Sequence, residues 1–351
     1  MFKRTLGNCS IMSTQVDDVG SYPLPRGVDR DTFSRAYRTA RAAFIDEKDP
    51  RKDQFACDNF CDVTMDAFKQ KILSGLDVAN YPQQYDGIKQ VSDCIHSAME
   101  KGTFVVESKA AILPEVCLIK EEAKRLSEEL GRKIRLRVSI FGPMEQYLKE
   151  MGTVVYGDVL EAYSETIKRF AKNAILNLEH VKTEVVSIDE PSFGFVDLGI
   201  EKATVCSVLE KAFDFAGVVR QIHLHSASRV ADLLDVKNID VLSFEYAASP
   251  RNVEMITRKM LERADKRIRV GIARTDVDAV MAELHEKGVA SPSAEQLVES
   301  EDTMRRRFAI VKEKYGDRLA FTGPDCGLGS WPSQEAAALL LKRSAASVKR
   351  R

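Results

Sequence analysis

The 351 residues hold one tryptophan and only five histidines. Two of those five stand two apart, at His223 and His225. No run approaches the ~18 consecutive apolar residues needed to span a bilayer. The basic opening Met1-Phe2-Lys3-Arg4 is not followed by the sustained apolar stretch of a secretory signal. Neither charge is in excess: 52 Lys and Arg face 53 Asp and Glu, for a formal net charge of -1. That balance excludes bulk electrostatic attraction to nucleic acid or an anionic membrane. No GxGxxG or GxxxxGK[ST] pattern follows an early strand, which weakens a nucleotide-binding reading. A disulfide framework is also missing. The seven cysteines, at 9, 57, 61, 94, 117, 206 and 326, are odd in number and scattered. A reduced, cytoplasmic protein is the expectation. Cys57 and Cys61 lack the second pair that a zinc or redox motif carries.

Hydrophobic residues make up 44% of the chain, enough for a large core. Short β-type runs alternate with long amphipathic stretches. The runs are Asp18–Tyr22, Leu76–Asn80, Arg137–Pro143, Val185–Pro191, Gln221–His225, Val241–Glu245, Arg269–Arg274 and Leu319–Cys326. Helical spacing of apolar residues predicts helices over Glu115–Leu130, Val159–Leu178, Ala231–Leu234, Val253–Ala264 and Ser333–Val348. Strand-then-helix repetition implies parallel strands joined by right-handed crossovers. Eight such units make a single closed (β/α)8 TIM barrel the leading α/β architecture, with an open doubly wound sheet as the alternative. A ninth run, Phe104–Glu107, is read as an excursion between the second and third strands. Residues 275–300 read as a helix plus a loop. With no repeat, linker or low-complexity stretch, the chain divides into an N-terminal extension, 1–15, and one barrel, 16–351.

In such barrels chemistry gathers at the C-terminal ends of the strands. Those ends carry Gly20-Ser21, Asp189-Glu190-Pro191, His223-Leu224-His225, Glu245 and Asp325-Cys326. His223 and His225, two apart on a strand, point to the same side. Glu245 ends the next strand and Cys326 follows the last. Imidazole, carboxylate and thiolate are zinc ligands, and four of them converging could hold a tetrahedral ion. Each also has a plainer reading: a hydrogen-bonded core histidine, or a cysteine serving as a small hydrophobe. By spacing alone the two readings stand side by side. His96, His180 and His285 fall in helical stretches and are expected at the surface.

Taken in order, these strand ends resemble the catalytic half of the cobalamin-independent methionine synthase family, over about residues 16–348. The pieces are Val19-Gly20-Ser21-Tyr22-Pro23, Gly142-Pro143, Ile188-Asp189-Glu190-Pro191, the His-x-ligand element, Phe244-Glu245-Tyr246-Ala247 and Pro324-Asp325-Cys326-Gly327-Leu328. The chain is similar to the short, single-barrel archaeal form, a barrel shared with uroporphyrinogen decarboxylase-like proteins. The resemblance implies a zinc-dependent thiol methyltransferase whose metal binds the homocysteine sulfur. The family pattern is His-x-Cys on one strand, Glu on the next, and Cys in the PDCGL element. Carried over, the ligands are His223, Glu245 and Cys326, with His225 where the family has its first Cys. In a second register His225 matches the family histidine and Ala227 takes the Cys position, leaving three ligands. The first register keeps a competent ligand in every place.

The resemblance also sets the backbone of Gly20-Ser21 against the homocysteine carboxylate, Asp189 against its ammonium group, and Gln83 in the same pocket. A capped βα turn is the plain alternative for Asp189, and a simple turn for Ser21. Asp325 is expected to orient a ligand, and Trp331 either to stack on a donor or to pack in the core. With two imidazoles, one carboxylate and one thiolate, the zinc site sums to zero charge. A substrate thiolate brings it to −1, where the family's second Cys would make −2. A less electron-rich thiolate calls for an activated methyl donor, a methyl-corrinoid protein rather than methyl-folate. The other functional readings are methyl transfer to another small thiol such as coenzyme M, and a metal-free corrinoid-binding or regulatory barrel. Neither nucleic acid nor membrane is expected as a partner.

Overall fold

The structure, a computed structural model, describes residues 13–349. Most of the expected extension, residues 1–12, lies outside the described residues. Where the description begins, Thr14 already donates to the Leu319 carbonyl at 3.2 Å. Eight strands follow: β1 Gln15–Val16, β2 Ala79–Asn80, β3 Ile134–Phe141, β4 Val181–Asp189, β5 Val219–Leu224, β6 Val241–Phe244, β7 Arg267–Ala273 and β8 Leu319–Pro324. All pairings are parallel, in the order β1-β8-β7-β6-β5-β4-β3-β2. A parallel bridge between Asp17 and Val78 joins β1 to β2. The amides of Asp77 and Val78 both donate to the Val16 carbonyl there. The ring is thereby closed as a (β/α)8 barrel, as expected.

The first strand lies earlier than the expected Asp18–Tyr22. Side chains, not a neighbouring strand, satisfy the carbonyls of Val19 and Gly20. Ser139 Oγ donates to the Val19 carbonyl, and Lys71 Nζ to the Gly20 carbonyl at 2.7 Å. Phe104–Glu107 is an excursion between β2 and β3, pinned by Thr166 Oγ1 and Arg169 to the helix Gly157–Asn173. That helix stops short of the expected Leu178. Its exit pairs with the start of β4 instead, with Leu178 N donating to Val181 O and Thr183 N to Leu176 O. The helix expected over Val253–Ala264 is two, Arg251–Met255 and Arg258–Arg263, and Thr257 Oγ1 caps the second. His96 and His285 are exposed and helical, whereas His180 sits in the turn before β4. Among the described residues no helix is long and apolar enough to cross a membrane.

The main core lies between the sheet and its jacket of helices. Leu118 and Ile119 of the helix Pro114–Leu130 and Ile167 and Phe170 of Gly157–Asn173 are buried in it. The barrel interior is different. Alternation puts Val185, Ser187 and Asp189 of β4 on one face. The same rule aligns Val219, Gln221, His223 and His225 along β5, and Val241, Ser243 and Glu245 along β6. The valines join Val78, Ala320 and Phe321 in a separate apolar cluster. Above it the interior is polar, where barrels ordinarily stack Val, Ile and Leu. Arg269 Nε meets Asp17 Oδ1 at 2.8 Å, Arg137 Nη1 lies 3.5 Å from Asp17 Oδ2, and Lys71 Nζ meets Asp18 Oδ2 at 2.7 Å, all fully or almost fully buried. Burial raises the Asp17 pKa and the two guanidinium groups oppose the rise.

Removing one partner of such a set strands the others. Asp17→Ala is expected to lower unfolding stability by about 3–5 kcal/mol, measured by urea denaturation. Asp17→Ala combined with Arg269→Met should recover part of the loss.

Candidate metal centre

His223 is the penultimate residue of β5 and is 2% exposed. Its Nδ1 lies 3.0 Å from Ser243 Oγ, which reaches across from the inner face of β6. Its Nε2 is buried and has no hydrogen-bond partner. His225 follows one step past the end of β5, half-buried, with its ring 5.5 Å from that of His223. His225 Nε2 lies 3.4 Å from Cys326 Sγ and 3.5 Å from Glu245 Oε1. One donor atom from each of His223, His225, Glu245 and Cys326 lies within 4.8 Å of all the others. Three strand ends, those of β5, β6 and β8, thus bring the four expected residues together. Ala227, the position in the second register, is buried and ties its amide to Asn252 Oδ1 at 2.9 Å.

Burial governs the protonation of this cluster. It holds His223 well below the usual imidazole range, with His225, Arg269 and Arg137 adding to the shift. It lowers His225 as well, against a small opposing effect of Glu145. Burial, then Asp325 and Asp276, pushes Glu245 up to about 8. Burial, then Glu245, pushes Cys326 up to about 12. Without a cation the four donors are therefore mainly uncharged. A divalent ion reverses this logic by favouring carboxylate and thiolate. An unpartnered buried nitrogen costs about 1–3 kcal/mol, so the orphaned Nε2 of His223 fits a missing ligand at this point.

Two residues hold the ligand loops. Asn252 Nδ2 donates to the carbonyls of His225 and Glu245, at 2.8 and 3.0 Å. Asp325, expected to orient a ligand ring, acts on backbone instead. Its carboxylate accepts from the amides of Tyr246, Ala247 and Ala248 at 3.0, 3.0 and 2.7 Å. The chain after Glu245 is thereby fastened to the residue before Cys326. Gly271 makes room, since a Cβ there would lie 2.1 Å from Asp325 Oδ1. Sequence reasoning missed Ser243 and Asn252. Ser243 was readable in principle, two residues before Glu245 on the same strand face. Asn252 carries no such signal.

On the β1–β2–β3 side of the mouth lies a crevice of about 310 Å³, lined by Ser21, Gln83, Phe141 and Gly329 among others. Ser21 is a clamp: its Oγ accepts from Gly329 N at 3.0 Å and its carbonyl from Leu328 N at 2.7 Å. Gln83 is buried, with Oε1 turned toward Gly20. Asp189, on β4, accepts from Ser187 Oγ at 2.6 Å, and burial raises it to about 6. The capping expected as the alternative for Asp189 falls to Glu190, which accepts from the amides of Met144 and Glu145. Trp331 is buried and donates to the Thr275 carbonyl, so it packs and does not stack at the mouth. A second group, Cys57, Asp58 and Asp62, is already met by Arg51, whose Nη1 bonds Asp62 Oδ1 at 2.7 Å. Cys61 stands outside that group.

No protein-family model matches the chain. It is 25% identical over 199 residues to the methionine synthase of Methanothermobacter thermautotrophicus, and 24% over 200 residues to that of Methanothermobacter marburgensis. The likeness is to methionine synthases. Each match spans 52% of this chain and 56% of the relative, so the chain spans about half the length of the curated relatives it matches. Two solved structures share the barrel fold. The B12-independent methionine synthase from Shewanella sp. W3-18-1, solved with selenomethionine, superposes with a TM-score of 0.55 at 13% identity, over 96% of this chain and 97% of that one. A methyltransferase from Methanosarcina mazei gives a TM-score of 0.53 at 13% identity, over 95% and 93%. At that identity the superpositions establish the fold.

Asp325→Ala removes the acceptor for three amides. The affinity of the cluster for a divalent ion should fall about 10–100-fold, measured by competition with a chelator, while the fold melts as one unit.

Proposed function

We propose that residues 16–351 form a zinc-dependent thiol S-methyltransferase, a methionine synthase that methylates homocysteine. The observation that carries this reading is the convergence of His223, His225, Glu245 and Cys326, with the unpartnered Nε2 of His223 among them. The partial likeness to archaeal methionine synthases supports it. The four residues would hold the ion through two imidazoles, one carboxylate and one thiolate. Bound there, Zn²⁺ would keep a substrate thiol ionised near neutral pH.

The chain's own groups do the rest. With Nδ1–H of His223 donating to Ser243 Oγ, 3.0 Å away, the lone pair would sit on Nε2, the nitrogen offered to the ion. Asp325 and Asn252 keep the three strand ends in register. Gly20, Ser21, Gln83 and Asp189 receive the remainder of the substrate. Gln83 Oε1 and the Asp189 carboxylate are acceptors, which favours an ammonium-bearing thiol over the sulfonate of coenzyme M. In the transfer a sulfur–methyl bond forms as the methyl–donor bond breaks, with the donor leaving on its own electron pair.

The ligand set, one thiolate short of the family pattern, favours an activated donor such as a methyl-corrinoid protein over methyl-folate. Phe195, 67% exposed beside a cleft on the loop after β4, offers apolar surface to a bulky donor. A reducing cytoplasm would keep Cys326 a thiol.

Zinc analysis of purified protein tests the reading. About one ion per chain is expected in the parent, with severe loss in His225→Ala and in Cys326→Ala. Full occupancy in His223→Ala would favour the register with Ala227, in which His225, Glu245 and Cys326 are the ligands. Methyl transfer to homocysteine should fall with the metal, and turnover from methyl-folate alone would remove the corrinoid proposal.

Zinc uptake should also expel protons, since Glu245 and Cys326 lie at about 8 and about 12 without metal. Calorimetry in buffers of different ionisation enthalpy should give roughly one to two protons released per ion at neutral pH, with affinity rising as pH rises.

A further inference from the structure

The crevice on the β1–β2–β3 side opens next to Cys326. Ser21 lines it, and a Cβ built on Gly327 would lie 2.2 Å from Ser21 Oγ. One wall is Phe141, pressed so closely on Gly87 that a Cβ there would lie 2.4 Å from its ring. Two charged side chains line the space, Arg30 and Asp86. They are not equivalent. Asp86 Oδ1 is committed to the chain itself. It accepts from the amides of Ile88 and Lys89 at 3.0 and 3.1 Å, at the start of the helix Lys89–Met99.

Arg30 is the first residue of the helix Arg30–Ile45 and is exposed at the rim. Its Nη1 donates to the Gln84 carbonyl at 3.2 Å. That carbonyl belongs to a fixed stretch. Gln84 is buried, and its Nε2 donates to the Pro23 carbonyl at 3.1 Å, which also takes Gln334 Nε2 at 2.9 Å. The guanidinium is thus tethered beside the crevice by one corner. No carboxylate pairs with it among the described residues. A guanidinium carries five N–H donors in one plane, so its Nε–Nη2 edge is left for an outside partner. Holding a long side chain in one place costs rotamer entropy, which an arginine that is only solvated does not incur. This one is held at the mouth of a crevice whose other charge is already engaged.

We propose that Arg30 binds the anionic head of the thiol substrate, a carboxylate or a sulfonate, while the sulfur lies at the Cys326 end of the crevice. The proposal rests on the reading that this crevice receives the body of the substrate. The Nε–Nη2 edge matches two oxygens of such a group. A positive charge at the mouth also draws anions in from solvent and repels cations. Selection is therefore for a thiol with a negative end, and an aminothiol without one is rejected. Which of the two heads is used is read by comparing homocysteine with coenzyme M.

The test uses the zinc-loaded full chain as the parent, Arg30→Met and Arg30→Lys. Binding of homocysteine, coenzyme M and 3-aminopropanethiol is read by calorimetry, with zinc content as a control. Arg30→Met should weaken the anionic thiol that the parent binds about tenfold, and leave 3-aminopropanethiol within about twofold. Zinc content should not change. Arg30→Lys keeps the charge but not the planar fork, and should recover part of the loss. Added salt should weaken the anionic thiol more in the parent than in Arg30→Met. Equal weakening of anionic thiol and aminothiol in Arg30→Met, or weakening of neither, would overturn the proposal. A parent that takes zinc but no thiol would instead defeat the function proposed above, and butyrate then decides the role of Arg30. NMR of the Arg30 Nε–H at constant ionic strength should show a saturable shift with butyrate and none with butylamine. An Nε–H signal that butyrate leaves in place would sink the anion site.

Discussion

Asp325 ties two strand ends into one. Its carboxylate takes three consecutive amides from the chain leaving β6, while its own backbone leads directly into Cys326. Glu245 and Cys326 are 81 residues apart in sequence, yet neither loop can move without the other. Asn252 makes the corresponding tie between the exits of β5 and β6. The convergence of four donor atoms is thus a property of backbone held by buried acceptors and donors, not of long side chains reaching inward. Such preorganised support is what metal ligands require if the ion is not to remodel the site.

The polar interior beneath the cluster has the same logic. Arg269, Arg137 and Lys71 are buried against Asp17 and Asp18, and the two guanidinium groups also help to keep His223 neutral. Isolated charges at such depth would be prohibitive. Paired, they make the floor of the mouth a fixed array of charges and dipoles in place of hydrocarbon. The carboxyls of Asp189 and Asp325 above them gain a counterweight that apolar layers would not provide.

Much of this was readable from the residues. Period-two alternation aligned His223 and His225, and the order of strand ends indicated which side chains would meet. What was hidden depended on partners distant in sequence. The run after Asp17 looked like a strand because nothing local reveals that Ser139 and Lys71 will occupy its carbonyls. Asp325 looked like a partner for imidazole because a carboxylate that accepts backbone amides leaves no mark on composition. Helical spacing carried the helix Gly157–Asn173 on to Leu178, since it cannot register the competing bonds to Val181 and Thr183. Gln83 was visible as a polar residue near the mouth, but its tie through Gln90 to Glu115 of the helix Pro114–Leu130 lies beyond any local pattern.

The depth of His223 has a kinetic meaning. It lies at the bottom of the cluster, 2% exposed, whereas the His225 side chain is 32% exposed and stands at the rim. An ion taken up by the proposed site would meet the outer donors before it reached Nε2 of His223, so loading and escape would each pass through two stages.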